Sequence, residues 1–200
     1  MNKPLQELIT QAGVTEAILA EILHYFKKEI IAKDTALLRT GQVSDSWYYI
    51  ESGLMHVYNE GDEGPETTWL VAEGEFIASA ESFFGQQPSL ETIKTIENCV
   101  CYSLKYADLR YLQQKFIEIS RLSLQLMERQ IVESNQRIRL VATHPASKRY
   151  ELFCKHHSHL LGRVKIDYLA SFLGLSRATF LAEQKKVYKN QKNSLKSDSK

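Results

Sequence analysis

The spacing of apolar residues changes along the chain and separates it into stretches of different structure. Apolar residues recur at helical spacing from Thr15 to Lys27, and Thr15 stands where a helix N-cap is expected. From about Glu29 to Lys105 the period is two, in short runs rich in β-branched and aromatic residues separated by Gly, Asp, Asn or Pro. Gly61–Glu66 reads as the tip of a hairpin. Short strands at even spacing indicate an antiparallel barrel or sandwich.

The stretch from Tyr106 to Val141 contains no Gly or Pro and predicts one long helix with two apolar stripes. The first stripe repeats every seven residues, which is typical of a helix that pairs with another helix. We assign to this dimer seam Ile117, Leu124, Met127, Ile131, Ile138 and Val141. The second stripe is expected to face the barrel and contains Leu112, Phe116, Ile119 and Leu122. Two stripes need two partners, and a two-fold homodimer is favoured over burial of both stripes in one subunit.

Residues Arg163–Val187 combine a helical apolar pattern, a Gly and a second helix start. Ala170 and Gly174 lie four apart, and Ser176 is suited to cap the helix that follows. Helix, short turn with Gly, and helix is the pattern of a helix-turn-helix, whose second helix lies in a DNA major groove. An ordinary helical hairpin is the alternative.

Composition narrows the class of protein without naming a ligand. The 200 residues suffice for one or two domains, and a net charge of +1 predicts no global attraction to nucleic acid. Lysines concentrate between Lys185 and Lys200, where we expect a disordered basic tail over 191–200. No apolar run is long enough to span a membrane and no secretory signal is visible, so a cytoplasmic location without a membrane partner is expected.

Neither a metal site nor a catalytic site is indicated by the residues. Cys99 and Cys101 are interpreted as small reduced apolar residues that point to opposite faces of a strand, and Cys154 is also interpreted as reduced. The histidines at 156, 157 and 159 lack a carboxylate or Cys at suitable spacing and are interpreted as a solvated helix end. No nucleophile elbow, HExxH motif or P-loop is present, so neither an enzyme nor a bound cofactor is predicted.

Three segments together resemble the Crp/Fnr family of bacterial transcriptional regulators. They are TGQVSDSWYYIESGLMHVY, AEGEFIASAESF and SKRYELFCKHHSHLLGRVKIDYLASFLGLSRATF. The resemblance implies an α+β chain with an N-terminal antiparallel β-roll of jelly-roll type, a dimerising central helix and a C-terminal winged-helix-like helix-turn-helix. The implied domains are a cyclic-nucleotide-binding-like roll at 1–105, a dimerisation helix at 106–142 and a DNA-binding domain at 143–190. The implied partners are a second copy of the chain and a palindromic DNA operator.

The effector pocket departs from members of the family that bind cyclic AMP. In those members a Gly-Glu pair holds the ribose, and an Arg about ten residues later holds the phosphate. Ala78 and Ser79 replace the first pair, and no Lys or Arg occurs between Arg39 and Lys94. We therefore expect no cyclic AMP in the usual mode, because a buried phosphate needs a counter-charge. The pocket is either vestigial, which we favour, or takes an unidentified neutral or cationic effector. Its weakly indicated residues are Gly74, Glu75, Ser79, Glu81 and Ser89.

The second helix of the helix-turn-helix also departs from the family. Ala182 and Gln184 occupy places where relatives often carry Arg, and Glu183 occupies an apolar place. No wing hairpin is visible after Lys186. The residues expected to contact bases or phosphates are Ser176, Arg177, Thr179, Gln184, Lys185 and Lys186. A regulator that binds DNA is favoured, and the alternative is a ligand-sensing or protein-interaction module with a degraded DNA-binding helix.

Overall fold

The computed structural model describes residues 3–62 and 64–197, which divide into two compact units, Met1–Gln130 and Ile131–Lys200. The first unit contains eight strands, and their places agree with the period-two stretches of the sequence. The strands are β1 (Lys27–Ile31), β2 (Ala36–Leu38), β3 (Ser46–Ser52), β4 (Met55–Gly61), β5 (Gly64–Val71), β6 (Phe76–Ile77), β7 (Thr92–Thr95) and β8 (Cys99–Lys105). The predicted α+β class with antiparallel strands is confirmed.

The strands form two four-stranded antiparallel sheets. The first sheet has the order β1-β8-β3-β6 and the second the order β2-β7-β4-β5. The predicted hairpin tip is confirmed, because β4 and β5 pair along their length up to Gly61 opposite Gly64. Apart from the β4–β5 hairpin, the neighbouring strands of each sheet are far apart in sequence, as in a roll.

Apolar side chains from both sheets fill the interior of the roll. Ile50, Met55 and Ile93 belong to this cluster and are at most 1% exposed. The expectation that Cys99 and Cys101 point to opposite faces is wrong, because residues two apart in a strand share a face. Both thiols lie in the interior, where a hydrogen bond with Cys99 and burial raise the pKa of Cys101 and keep it an uncharged thiol. Gly53 is required beside them, since a Cβ there would lie 2.6 Å from the Cys99 Sγ.

Helices cover the outer face of the first sheet and bury a second apolar cluster. They are α1 (Lys3–Thr10), α2 (Glu16–His24), α3 (Ala80–Gly85) and α4 (Tyr106–Lys115). Thr15 caps α2 as predicted, with its side chain accepting from the Ile18 N–H. The helix α1 was not expected from the sequence, and it buries Leu5 and Ile9 in this cluster. The second stripe predicted for the long helix packs here, because Leu112, Ile119 and Leu122 are buried.

The stretch predicted as one helix over 106–142 is broken at Phe116. After α4, Phe116 has extended backbone angles, and α5 runs from Ile117 to Ala142. The Ser120 hydroxyl donates to the Gln113 carbonyl, which satisfies an acceptor that the end of α4 would leave open. A single hydrogen bond from a hydroxyl does not change the spacing of apolar residues. The apolar pattern therefore could not predict the break at Phe116.

The second unit is helical over its described residues. It contains the end of α5, then α6 (Ala146–His157), a short 3-10 turn at Ser158–Leu160, α7 (Ile166–Phe172) and α8 (Arg177–Ser197). The prediction of disorder from residue 191 is wrong as far as Ser197, because no Gly or Pro ends α8; residues 198–200 lie outside the described residues. Between residues 106 and 197 no strand forms, so a wing hairpin is absent there. No helix in the described ranges is both long and apolar enough to cross a membrane.

Candidate nucleic-acid interface and effector pocket

A helix-turn-helix is formed by α7, a tight turn and α8. Gly174 takes a left-handed conformation with φ +59°, and the Leu175 N–H donates to the Ala170 carbonyl to close the turn. The Ser176 hydroxyl then accepts from the Thr179 N–H at 3.1 Å, so Ser176 caps α8 as predicted. The spacing of Ala170, Gly174 and Ser176 was therefore sufficient to locate the motif.

Arg149 of α6 fixes this turn in place, a role that the sequence did not reveal. Its guanidinium is 6% exposed and donates through Nη1 to the carbonyls of Leu173 (2.8 Å) and Gly174 (3.0 Å). Its Nε donates to the Thr143 carbonyl at 3.1 Å, which ties the start of α6 to the same group. The signal available in the sequence is a charged residue placed at a core position of α6, next to the buried Tyr150.

The exposed face of α8 begins with small residues rather than with long polar ones. Ala178 and Ala182 are exposed, whereas Phe180 and Glu183 are buried on the opposite face. Lys185 lies on the same exposed face, seven residues or about two turns after Ala178. The face that a major groove would meet is therefore shallow at its first turns.

Besides Ser176 and Thr179, which bond to each other, three of the predicted contact residues have partners within the chain. Arg177 Nη1 lies 2.6 Å from both carboxylate oxygens of Asp167, an exposed ion pair between α7 and α8. Gln184 is half-buried and hydrogen-bonds to the Tyr150 hydroxyl. Lys186 pairs with the buried Glu183 at 2.7 Å, which supplies the counter-charge that a carboxylate in an apolar place needs. Of the three, only Arg177 keeps an exposed head group at the start of α8.

Two of the predicted effector residues, Ser79 and Ser89, flank the short helix α3 and bond to each other. Ser79 and Ser89 are both 2% exposed, and their hydroxyl oxygens lie 3.0 Å apart. Ser89 Oγ also bonds to both backbone groups of Glu91, at 2.8 Å and 3.0 Å. The serine pair therefore joins α3 to the strand that follows it.

The two predicted acidic groups of the pocket do not point to a shared ligand. Glu81 is exposed on α3. The carboxylate of Glu75 accepts from the Ala72 N–H at 3.3 Å, and the Gly74 N–H donates to the Ile50 carbonyl at 2.9 Å. Gly74 and Glu75 thus shape the turn between β5 and β6. Since residues 40–93 contain no Lys or Arg, this region offers no guanidinium or ammonium to an anion.

An apolar cavity lies elsewhere in the first unit, against the outer face of the first sheet. It is enclosed by α1, α2, α4, the start of α5 and strands β3, β6 and β8. Its lining comprises Ile9, Ile22, Phe26, Trp47, Phe76, Leu104, Leu109, Leu112, Ile119, Leu122, Ser123 and Leu126. The polar group in this lining, the Ser123 hydroxyl, donates to the Ile119 carbonyl. None of the five predicted effector residues lines the cavity.

Four heptad positions of the apolar seam of α5 are exposed among the described residues. Ile117, Leu124, Ile131 and Ile138 are between 57% and 64% exposed. Met127 is half-buried. Val141 differs from the prediction, because it packs against the turn of the helix-turn-helix, with its Cγ1 3.2 Å from where a Cβ at Gly174 would lie.

Comparison with known proteins places the fold. Residues 28–116 match the model of the cyclic nucleotide-binding domain family. FixK2 from Bradyrhizobium japonicum has a similar structure (TM-score 0.72, 12% identity, 83% of this chain and 86% of that chain covered). So does CLP of Xanthomonas campestris, described as a c-di-GMP responsive global regulator (TM-score 0.65, 20% identity, 88% and 93% covered). A protein from Eubacterium rectale assigned to the Crp/Fnr family has a TM-score of 0.69 at 13% identity, with 90% and 86% covered.

No curated protein matches the sequence significantly. The structural matches extend over both units, and they confirm the resemblance to the Crp/Fnr family at the level of the fold. At these identities the likeness carries no residue-level chemistry, which has to be argued from this chain.

We predict that Arg149→Ala lowers the free energy of unfolding of the second unit by about 3 kcal/mol, because it leaves three carbonyls without their charged donor. Arg149→Lys should recover only a minor part, since an ammonium cannot reach the three acceptors as a planar fork does. Urea unfolding of the full chain, followed by circular dichroism, measures the effect.

The matched control is Lys148→Ala, one residue earlier, which removes only an exposed ion pair with Glu151 at 3.2 Å. This variant should cost about 0.5 kcal/mol or less. Equal losses for the two alanine variants would contradict the role assigned to Arg149.

Proposed function

We propose that this chain is a dimeric transcriptional regulator of the Crp/Fnr type that binds duplex DNA through α7 and α8. The observation that carries the proposal is the helix-turn-helix itself, with a capped second helix whose outer face is solvent-exposed. The fold shared with regulators such as CLP supports it. A protein with this activity acts in the cytoplasm and needs no catalytic group.

Base reading would rest on few side chains. Arg177 and Thr179 stand in the first turn of α8, and Ser176 and Lys185 are exposed where phosphates would pass. To contact a guanine edge, Arg177 has to leave Asp167, an exchange between two exposed partners that costs little. Ala178 and Ala182 offer only methyl groups, which suit the methyl of thymine.

The ion pair between Arg177 and Asp167 favours a second candidate function. With Arg177 held by Asp167 and Gln184 turned to Tyr150, the motif could serve as a structural domain in a ligand-sensing or protein-interaction module. DNA selection separates this reading from the first.

We predict that the full chain enriches a pseudo-palindromic site from randomised duplexes, with half-sites about 34 Å apart. Ala178→Asp should abolish this enrichment, because a carboxylate on the outer face of α8 repels the phosphates. The same carboxylate is tolerated by the fold, since it lies in the first turn of a helix.

Ser147→Asp serves as the matched control, because it adds the same charge at an exposed position in the first turn of α6. Enrichment that survives Ala178→Asp, or no enrichment by the unchanged protein, favours the second function.

The exposed seam of α5 is the proposed dimer contact. Four isoleucine or leucine side chains at heptad spacing, each more than half exposed, are explained by a symmetric copy of the same helix. A seam of this kind buries apolar area in the dimer that the single chain leaves in water.

We predict that Leu124→Lys combined with Ile131→Lys converts the dimer to a monomer, as measured by sedimentation velocity. Gln125→Lys with Gln136→Lys is the control, because both glutamines are exposed on α5 away from the seam. A chain that is monomeric before substitution, or a control that dissociates equally, would rule out this contact.

The roll is proposed to bind no cyclic AMP. The hydroxyls of Ser79 and Ser89 bond to each other, and residues 40–93 contain no Lys or Arg that could pair with a phosphate. Burial of an unpaired phosphate costs several kcal/mol.

We predict that 1 mM cyclic AMP leaves the melting temperature unchanged, whereas a ligand with a Kd of about 10 μM would add about 2.7 kcal/mol at that concentration. Adenosine, which lacks the phosphate, is the control for a neutral ligand. A rise of several degrees with cyclic AMP alone would show that the phosphate finds a donor.

A further inference from the structure

The line of helix positions that holds Ala178 and Ala182 continues in the sequence as lysines beyond the helix-turn-helix. With 3.6 residues per turn, positions 178, 182, 185, 189, 192 and 196 fall along one line of the helix. The first two are alanines and the last four are lysines. Ala178, Ala182, Lys185 and Lys189 are exposed. We call Lys185, Lys189, Lys192 and Lys196 the lysine row.

The lysine row repels itself and has no acid beside it. Its members are three or four residues apart, a spacing at which like charges destabilise a helix by about 0.2–0.5 kcal/mol per pair. Between Gln184 and Ser197 there is no Asp or Glu. The nearest acid before it, Glu183, is buried on the other side of the helix and is paired with Lys186.

The helix dipole does not account for this arrangement. A cation is stabilised by the dipole only within the last turn of a helix. Lys185 and Lys189 stand two turns or more before Ser197, where α8 ends. A row that costs helix stability, and whose first two members lie outside the reach of the dipole, indicates an external counter-charge.

The opposite face of α8 is committed to the core of the second unit. Phe180 is fully buried between Tyr150 and Phe153, with ring centroids 5.1 Å and 6.4 Å apart, and Val187 is half-buried. Among the side chains described on α8, up to Lys189, Tyr188 is the large apolar group that is more than half exposed, and a single aromatic ring does not make an apolar face for lipid. The lysine row spans about 17 Å of helix axis, a distance along which duplex DNA presents about ten phosphate charges.

We propose that the lysine row follows the phosphates of a duplex beyond the residues that read its bases, so that α8 enlarges the contact where the described chain has no wing. The inference rests on the proposed DNA-binding function and adds a sequence-independent part to it. Its ligand is the phosphate backbone of double-stranded DNA. The lysine row supplies affinity for DNA that the first turns of α8, with Ala178 and Ala182 on their outer face, do not supply.

The test compares two double variants of the full chain on a 30-base-pair duplex of random sequence. Lys189→Gln with Lys192→Gln removes two members of the row. Lys148→Gln with Lys155→Gln removes two exposed lysines of α6 and is the matched control. Affinity is measured by fluorescence anisotropy between 50 and 300 mM KCl, and circular dichroism checks that the helix content is kept.

We expect the slope of log affinity against log salt to fall by about 1.8 for the row variant, since each lost phosphate contact is worth about 0.9. The control should keep the slope of the unchanged protein. The row variant should also lose the same factor of affinity on a selected site and on a random one, because phosphates carry no sequence. Its melting temperature should not fall, since like-charge pairs have been removed.

An unchanged slope for the row variant, or an equal fall in the control, overturns the proposal that the lysine row contacts phosphates. Either result leaves the proposed DNA binding by the helix-turn-helix unaffected. A loss on the selected site alone also overturns the phosphate contact, because that result assigns the lysines to base reading. No retention of any duplex by the unchanged protein overturns both proposals. Binding to phosphatidylserine vesicles but not to the duplex would assign the row to a membrane surface instead.

Discussion

The buried guanidinium of Arg149 is the constraint on which the second unit depends. A positive charge on a residue that is only 6% exposed is costly without acceptors, and its Nε and Nη1 donate to the carbonyls of Thr143, Leu173 and Gly174. Without Arg149, the carbonyls of Leu173 and Gly174 at the end of α7 would be buried with no hydrogen-bond donor. Arg149 supplies a donor to these carbonyls, and the carbonyls supply acceptors to Arg149. The start of α6 and the turn are therefore held together, and both fix the orientation of α8.

Most of the fold could be predicted because it rests on periodic burial. The strands of the roll and the cap of α2 follow from alternating apolar residues and from Thr15. Features that depend on single hydrogen bonds were missed, such as the break at Phe116 and the donors of Arg149. They were missed because one hydroxyl or one guanidinium that binds a carbonyl leaves no repeating pattern. The shared face of Cys99 and Cys101, by contrast, follows directly from the two-residue period of β8.

The roll forms its two sheets and packed interior with no Lys or Arg between residues 40 and 93. The match over residues 28–116 reflects two sheets and a packed interior, which need only apolar residues at alternating positions. A phosphate site needs in addition a positive side chain at one place, and here Ser79 and Ser89 close the same region with hydrogen bonds between neutral groups. Neutral hydroxyls satisfy each other at no electrostatic cost, so the segment is stable without a ligand. The sequence could indicate that residues 40–93 carry no Lys or Arg, but the hydrogen bond between Ser79 and Ser89 is visible only in the structure.

The two faces of α8 divide stability from recognition in an unusual way. Glu183 lies on the core face, and Lys186 pairs with it. One positive charge near the first turns of α8 is therefore neutralised within the chain and less available to the phosphates of DNA. Ala178 and Ala182 add no polar group to the outer face. If such a helix binds DNA, discrimination between sequences has to come from few contacts and from the spacing of two helices set by a dimer, while affinity comes from charge placed further along. Specificity of that kind depends more on the geometry of the seam along α5 than on the residues of α8 themselves.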